Sequence, residues 1–395
     1  MSASPLAGIR VVEFAHMVMG PSCGLILAEL GADVIKVEPL EGDNTRRLTG
    51  SGAGFFPTYN RSKRSIALDL KHPEGQAIVR RLIERADVVT ENFRPGALDA
   101  LGFGADDVAA FNPRAVYCSL KGFLSGPYER RTALDEVVQM MGGLAYMTGP
   151  PGRPLRAGAS VNDVMGGMFA VIGILASLRE RDASGRGGRI KSGLFENCAF
   201  LVAQHMAQQA VSGKKVSPMP ARLPAWGVYD VFATRDDKQI FVGVVTDRQW
   251  AAFCDAFGRA DLAGDETLAT NPKRVAARER LIPEVARILA ARDAASVMAI
   301  CERVGLPFAP IARPEDLFDD PHLNAADGLA DVTLSDGTMT KLPTLPLELD
   351  GARATQRGAV PRIGQDTGAI LAELGFSPAE ISDMVAAGIV GGVGR

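Results

Sequence analysis

Residues 9–38 read IRVVEFAHMVMGPSCGLILAELGADVIKVE. Ile9 to Phe14 is a short β-rich run, and a loop follows from Ala15 to Pro21. Leu25 to Leu30 has helical composition and stops at Gly31, and Asp33 to Glu38 forms a second strand. This is one βαβ unit, whose parallel strands need a right-handed crossover. The unit recurs downstream. Ser65–Leu70, Asp87–Asn92 and Ala115–Leu120 read as further strands. Pro73 to Ala86 reads as a helix with proline near its start, where a missing N–H costs nothing. Strands alternating with helices predict a parallel sheet covered on both faces, an α/β fold.

Beyond this core the pattern changes. Val164 to Arg181 reads as a buried helix in which Gly166 and Gly167 permit another backbone to approach. Ile190 to Val211 reads as a short strand followed by a long apolar helix. Ser217-Pro218-Met219-Pro220 and Leu223-Pro224 mark a domain boundary. Val228–Thr234 and Gln239–Val245 then form a hairpin about Arg235–Lys238, and Ala- and Arg-rich helices run to Val304. A second boundary is expected at Gly305–Pro314, then a β-like stretch over Leu329–Leu349 and a helix at Thr367–Leu374.

The chain has 395 residues, which suggests two or three domains at roughly 100–200 residues each. With 47% hydrophobic residues it can bury a sizeable core, so wholesale disorder is excluded. A net charge of −3 gives no electrostatic footprint for nucleic acid or an anionic membrane. No apolar run is expected to reach the ~18 residues that span a bilayer. Met1–Pro5 lacks the basic and apolar regions of a secretory signal. The five scattered cysteines fit neither a disulfide framework nor a zinc site. These features predict a cytoplasmic protein with reduced thiols and no metal.

Several motifs are absent. There is no phosphate-binding P-loop, no H-E-x-x-H, and no G-x-G-x-x-G in the first βα turn. Gly20-Pro21-Ser22-Cys23-Gly24 matches G-x-S-x-G, but seven residues separate Ser22 from Phe14, whereas a nucleophile elbow follows its strand directly. Ser22 reads instead as a helix cap. Of the four histidines, His16 stands out because it follows the first strand, where open α/β sheets bind ligands.

Other segments fall into one ordered set. They are Pro5–Phe14, Leu30–Glu38, Asn60–Lys71, Glu91–Gly96, Asn162-Asp163 with Gly166-Gly167-Met168 and Gly173–Ala176, Gly305-Leu306-Pro307, and Asp320–Leu323. Together they resemble the class III CoA-transferase family. That family includes formyl-CoA transferase, succinyl-CoA-dependent transferases, carnitine CoA-transferase and the related α-methylacyl-CoA racemases. The resemblance runs nearly end to end. It implies an interlocked homodimer whose subunits each have a Rossmann-like large domain built from both chain ends, with a small α+β domain between. On the boundaries above, that places residues 1–216 and 306–395 in the large domain and 217–305 in the small one.

The resemblance also implies the chemistry. The enzyme would move CoA from an acyl-CoA to a small free carboxylic acid, with CoA thioesters as substrates and no tightly bound cofactor. Asp163 matches the family nucleophile, and it also reads as a helix N-cap. A carboxylate can attack an activated thioester without a base. With a reference pKa of ~3.9, Asp163 is expected to stay mostly ionised at neutral pH even after a rise of ~2 units. His16 and the Met17-Val18-Met19 loop would lie beside the thioester and offer backbone N–H groups to an oxyanion. Asp135 matches an acidic residue near the active site, and it reads equally as a helix-start carboxylate. Lys63, Arg64, Leu68, Lys71, Asn92, Phe93, Arg94 and Ala97 match CoA-binding segments, the cations among them suiting phosphate. Arg156 and Arg222 are candidates to read a distal carboxylate.

Departures from the family pattern are as informative. Leu134 stands where the racemases carry a histidine base, which argues against racemisation. Val18 replaces the glutamine of formyl-CoA transferases, and Leu223–Gly227 occupies the region of their glycine-rich loop. Asp366 stands where a histidine is usual. A racemase-like enzyme and a non-catalytic CoA-binding subunit remain the alternative readings.

Overall fold

The structure is a computed structural model and describes residues 4–355 and 358–392. The chain divides into two units, one of residues 1–220 with 320–395, the other of residues 221–319.

The first unit alternates as expected. β1 (Arg10–Phe14), α1 (Met19–Glu29), β2 (Asp33–Glu38), α2 (Phe55–Asn60), β3 (Arg64–Leu68), α3 (Pro73–Glu84), β4 (Val88–Glu91), α4 (Ala105–Phe111) and β5 (Val116–Lys121) follow in order. Then come α5 (Asp135–Met141), α6 (Leu144–Thr148), α7 (Val161–Ser184), β6 (Arg189–Gly193) and α8 (Leu194–Ser212). The sheet order is β3-β2-β1-β4-β5-β6, all parallel. The strand period of two divides the core. Val12 and Phe14 face α3 and α4, whereas Val11 faces α1 and α7.

The fit of α7 against α1 depends on glycine. A Cβ on Gly167 would meet Ser22 Oγ and the backbone of Met19 and Cys23, and one on Gly166 would meet Met19 and Asn197. By length and composition α7 could cross a membrane. The expectation that no run reaches that length is therefore corrected. Here its Gly166, Ala170, Ile174 and Leu178 side is buried against the sheet and α1. Ser22 lies within α1 and donates to Met19 O, so the cap reading is corrected: the cap position is Val18.

The second unit holds β7 (Val228–Ala233) and β8 (Gln239–Val244), the expected antiparallel hairpin. Helices α9 (Asp247–Ala256), α10 (Ala260–Ala263), α11 (Asn271–Ala276), α12 (Arg278–Ala290) and α13 (Ala294–Val304) follow. β9 (Phe308–Pro310) pairs with β8, which extends this unit past the expected boundary at Gly305 to Asp319. Trp250, Phe253, Val285 and Leu289 pack with the strands in its core.

The chain then returns to the first unit. α14 (Pro321–Ala325), the antiparallel pair β10 (Leu329–Thr333) and β11 (Met339–Pro343), and the short pair β12 (Glu348–Leu349) and β13 (Ala352–Arg353) lead to α15 (Thr367–Glu373) and α16 (Pro378–Ala386). β14 (Val390–Gly391) joins the large sheet antiparallel to β3. Asp366 accepts from Ser65 N at 2.8 Å and donates its own N–H to Ser65 O at 2.9 Å. This gives the aspartate a physical role: it pins the returning segment to the start of β3.

Candidate active site

A cleft of about 420 Å³ opens at the carboxyl ends of β1, β4 and β5, where open α/β sheets bind ligands. His16, Met17, Val18, Met19, Asn92, Asp135 and Asp163 all line it. Residues up to 147 positions apart in the sequence thus meet, because each lies just past a strand end or at a helix start.

Asp163 stands in the first turn of α7. Burial, then the neighbouring Asp135 carboxylate, raises its pKa to about 7, with Arg156 acting in the opposite direction. The expectation of a mostly ionised carboxylate is therefore corrected: with its pKa raised to about 7, the protonated form competes at neutral pH. Burial and the nearby Asp163 and Asp135 likewise raise the pKa of the Tyr59 phenol.

Asp135 is the first residue of α5, whose start has no side-chain cap. Its Oδ1 accepts from the backbone N–H of Asn162 at 2.8 Å and of Asp163 at 3.3 Å. It therefore serves the N-terminus of α7, which has no side-chain cap from Ser160. Gln139, wholly buried one turn further along α5, donates to Asp135 Oδ2 and accepts from Ala157 N at 2.8 Å. Sequence reasoning missed Gln139, although its i,i+4 spacing from Asp135 placed both on one helix face.

The loop after β1 is held firmly. Asn92 Oδ1 accepts from His16 N at 3.0 Å and Asn92 Nδ2 donates to His16 O at 2.8 Å. His16 stacks on Phe93 with ring centroids 5.9 Å apart, and burial lowers its pKa. Met17 adopts φ 65°, left-handed backbone that non-glycine residues seldom take, and its N–H donates to Thr45 Oγ1 at 3.0 Å. The His16 and Met17 N–H groups are thus already committed, which corrects their expected oxyanion role. The N–H groups of Val18 and Met19, at the start of α1, have no acceptor among the described residues. Both residues line the cleft.

Two expected CoA ligands are turned elsewhere. Lys63 is buried and bonds Glu13 at 2.8 Å and Pro21 O at 2.9 Å, so it cannot reach a phosphate. Arg64 begins β3 and pairs with Asp33 and Glu373, at the opposite end of the sheet from the cleft. Leu68 ends β3 with its side chain in the core, leaving only backbone at that edge. Lys71, Arg94 and Ala97 are exposed just beyond the carboxyl ends of β3 and β4. Arg156 lines the cleft, while Arg222 belongs to the other unit.

Comparison with known proteins identifies the family. Residues 6–367 match the family described as CoA-transferase family III. The chain is 34% identical to the succinate–glutarate CoA-transferase of Agrobacterium fabrum, over 94% of this chain and 96% of that one. It is 33% identical to the succinyl-CoA–L-malate CoA-transferase beta subunit of Chloroflexus aurantiacus, over 96% of each. In structure it resembles a CAIB/BAIF family protein from Brucella suis, with TM-score 0.84 and 34% identity over 94% of this chain and 99% of that one. With its parallel sheet, its cleft and these relatives taken together, the chain belongs to CoA-transferase family III.

Proposed function

We propose that this CoA-transferase moves CoA from an acyl-CoA to a small carboxylic acid through a thioester on Asp163. One observation carries the reading. A half-buried carboxylate lies in the cleft at a helix start, raised to about 7, and Arg156 makes only long ion pairs, to Asp135 at 3.6 Å and Glu136 at 3.9 Å, rather than a close one to it. A carboxylate without a close partner is available to attack.

The steps balance without an external proton. Asp163 Oδ attacks the thioester carbonyl, the C–S bond breaks, and CoA leaves as thiolate. An acyl–aspartyl anhydride remains. The thiolate attacks Cγ of Asp163, the anhydride C–O bond breaks, and the free acid departs as carboxylate. The acceptor acid then runs the steps in reverse. Val18 and Met19 N–H groups stabilise the tetrahedral oxyanions. Asp135 holds Asp163 in place through the α7 backbone. Asn92 and Phe93 fix His16 beside the reacting centre, and Lys71, Arg94 and Ala97 present the nucleotide-binding edge.

The named relatives support dicarboxylates such as succinate as partners in the exchange. A homodimer is part of the proposal. Ile172 on α7 and Phe200 and Met206 on α8 are 60%, 67% and 64% exposed, a concentration of apolar surface that a second subunit would cover. Sedimentation of the pure protein tests this. The chemical reading is tested with succinyl-CoA followed by hydroxylamine or borohydride trapping and mass spectrometry of the Asp163 peptide. A modified Asp163, absent in Asp163→Ala, supports it. Labelling elsewhere, with none at Asp163 for any acyl-CoA donor, overturns it.

A further inference from the structure

Three basic side chains line the cleft: His16, Lys121 and Arg156. Burial favours the neutral form of His16. Lys121 is committed to Glu91 and to Phe93 O, both at 2.7 Å. Arg156 is different. Its Nε donates to Ala157 O at 3.2 Å. Its terminal nitrogens stand 3.6 Å from Asp135 and 3.9 Å from Glu136, beyond hydrogen-bond reach. The side chain is 38% exposed. Among the described residues lining the cleft it is the one arginine, and its terminal nitrogens make long ion pairs but no hydrogen bond to a carboxylate.

Its position is also fixed relative to Asp163. Asp135 accepts from the N–H groups of Asn162 and Asp163 through one oxygen and from Gln139 through the other. Gln139 in turn accepts from Ala157 N, the residue after Arg156. One buried hub therefore sets the spacing between nucleophile and cation. The phosphates of CoA lie far along the molecule from its thioester, so a cation close enough to act on Asp163 meets the acyl side. The cleft already holds Asp135, Glu136 and Asp163, so a second carboxylate entering it needs a counter-charge.

We propose that Arg156 binds the second carboxylate of a dicarboxylic acid by a bidentate pair and thereby selects dicarboxylic over monocarboxylic acids. This rests on the reading of Asp163 as CoA carrier. Arginine suits the task because its planar fork matches a carboxylate in charge and geometry.

The test compares glutarate with its monoamide, which keeps the shape and one acid but loses the second charge. Wild type, Arg156→Gln and Arg156→Lys are assayed with saturating succinyl-CoA, varying the acid. Wild type should favour glutarate in kcat/KM by about tenfold or more, the scale of a broken charge pair. Arg156→Gln should raise KM for glutarate by about tenfold with kcat little changed, and remove the preference. Arg156→Lys should fall between, because it keeps the charge without the fork. If Arg156→Gln does not fold, as judged by thermal melting, Arg156→Lys decides alone. No preference in wild type, an equal loss on both acids, or a preference unchanged in either folded variant overturns the proposal. Trapping the Asp163 adduct in wild type separates the two readings. If the adduct forms and the preference is absent, only the role of Arg156 fails; if no adduct forms, the Asp163 reading fails.

Discussion

Two clusters of buried and half-buried carboxylates in the first unit behave in opposite ways. Beneath the loop after β1, Glu13 pairs with Lys63 at 2.8 Å, Asp43 with Lys36 at 3.0 Å, and Glu38 with Arg46 at 2.6 Å. There the carboxyls of Glu38 and Asp43 sit below their usual range, since their cations and hydrogen bonds outweigh burial. At the start of α7, Asp163 has burial and a like charge against it and only the more distant Arg156 in its favour, and it rises to about 7. Burial is common to both clusters; pairing is what separates them. A fully paired carboxylate is structural, whereas one left without a close cation keeps lone pairs free for chemistry.

Removing the proposed nucleophile should have the largest effect. Asp163→Ala is expected to lower kcat by about 10³-fold or more, with the fold intact, as read by steady-state CoA transfer and circular dichroism. Retained activity with a folded variant would break the comparison at once.

The paired cluster should respond in stability instead. Glu13→Gln leaves the buried Lys63 ammonium without its carboxylate, and a cost of about 3–5 kcal/mol is expected in urea unfolding. Burial already pulls the Lys63 pKa down to about 8, so the ammonium has little to spare.

Between these extremes lies a pH effect. The pKa of Asp163 is raised above 3.8, so between pH 4 and 7 the folded state holds more protons than the unfolded one. Wild-type stability from this group is full at low pH and is lost as pH rises toward 7. Asp163→Asn carries no such loss, so its Tm should exceed wild type at pH 8 and converge with it near pH 4. The same raised pKa predicts that CoA release on acylation speeds up with pH through about 7. Asp135→Asn removes the like charge and should move that midpoint lower in stopped-flow assays. It should also weaken the α7 cap by about 0.5–2 kcal/mol.

The smallest effect sharpens the geometric side. Gly167→Ala forces a methyl into Ser22 and the α1 backbone, and should cost about 1–3 kcal/mol in thermal unfolding.

Much of this was legible in the sequence, for identifiable reasons. Strand and helix periods are local, so the βαβ run from Ile9 to Glu38 and the hairpin about Arg235–Lys238 read directly. The ordered motifs marked Asp163, His16, Asn92 and Asp135, and the structure gathers all of them into one cleft. Lys63 and Arg64 misled because a basic residue looks the same in sequence whether it faces phosphate or a carboxylate of its own chain. The extension of the second unit to Asp319 was hidden because β9 is only three residues long and is defined by its pairing with β8.

The sequence by itself determined the α/β architecture and the family, and marked Asp163 as the proposed nucleophile, since these rest on residue order and local period. Only the tertiary structure decided the state of that carboxylate and its neighbours. It placed Asp135 against the α7 N-terminus, turned Lys63 onto Glu13, committed the His16 and Met17 N–H groups, and left the Arg156 fork with only long ion pairs. The physical reason is that charge state and hydrogen-bond availability depend on distances and burial between groups far apart in the chain, which residue order does not encode.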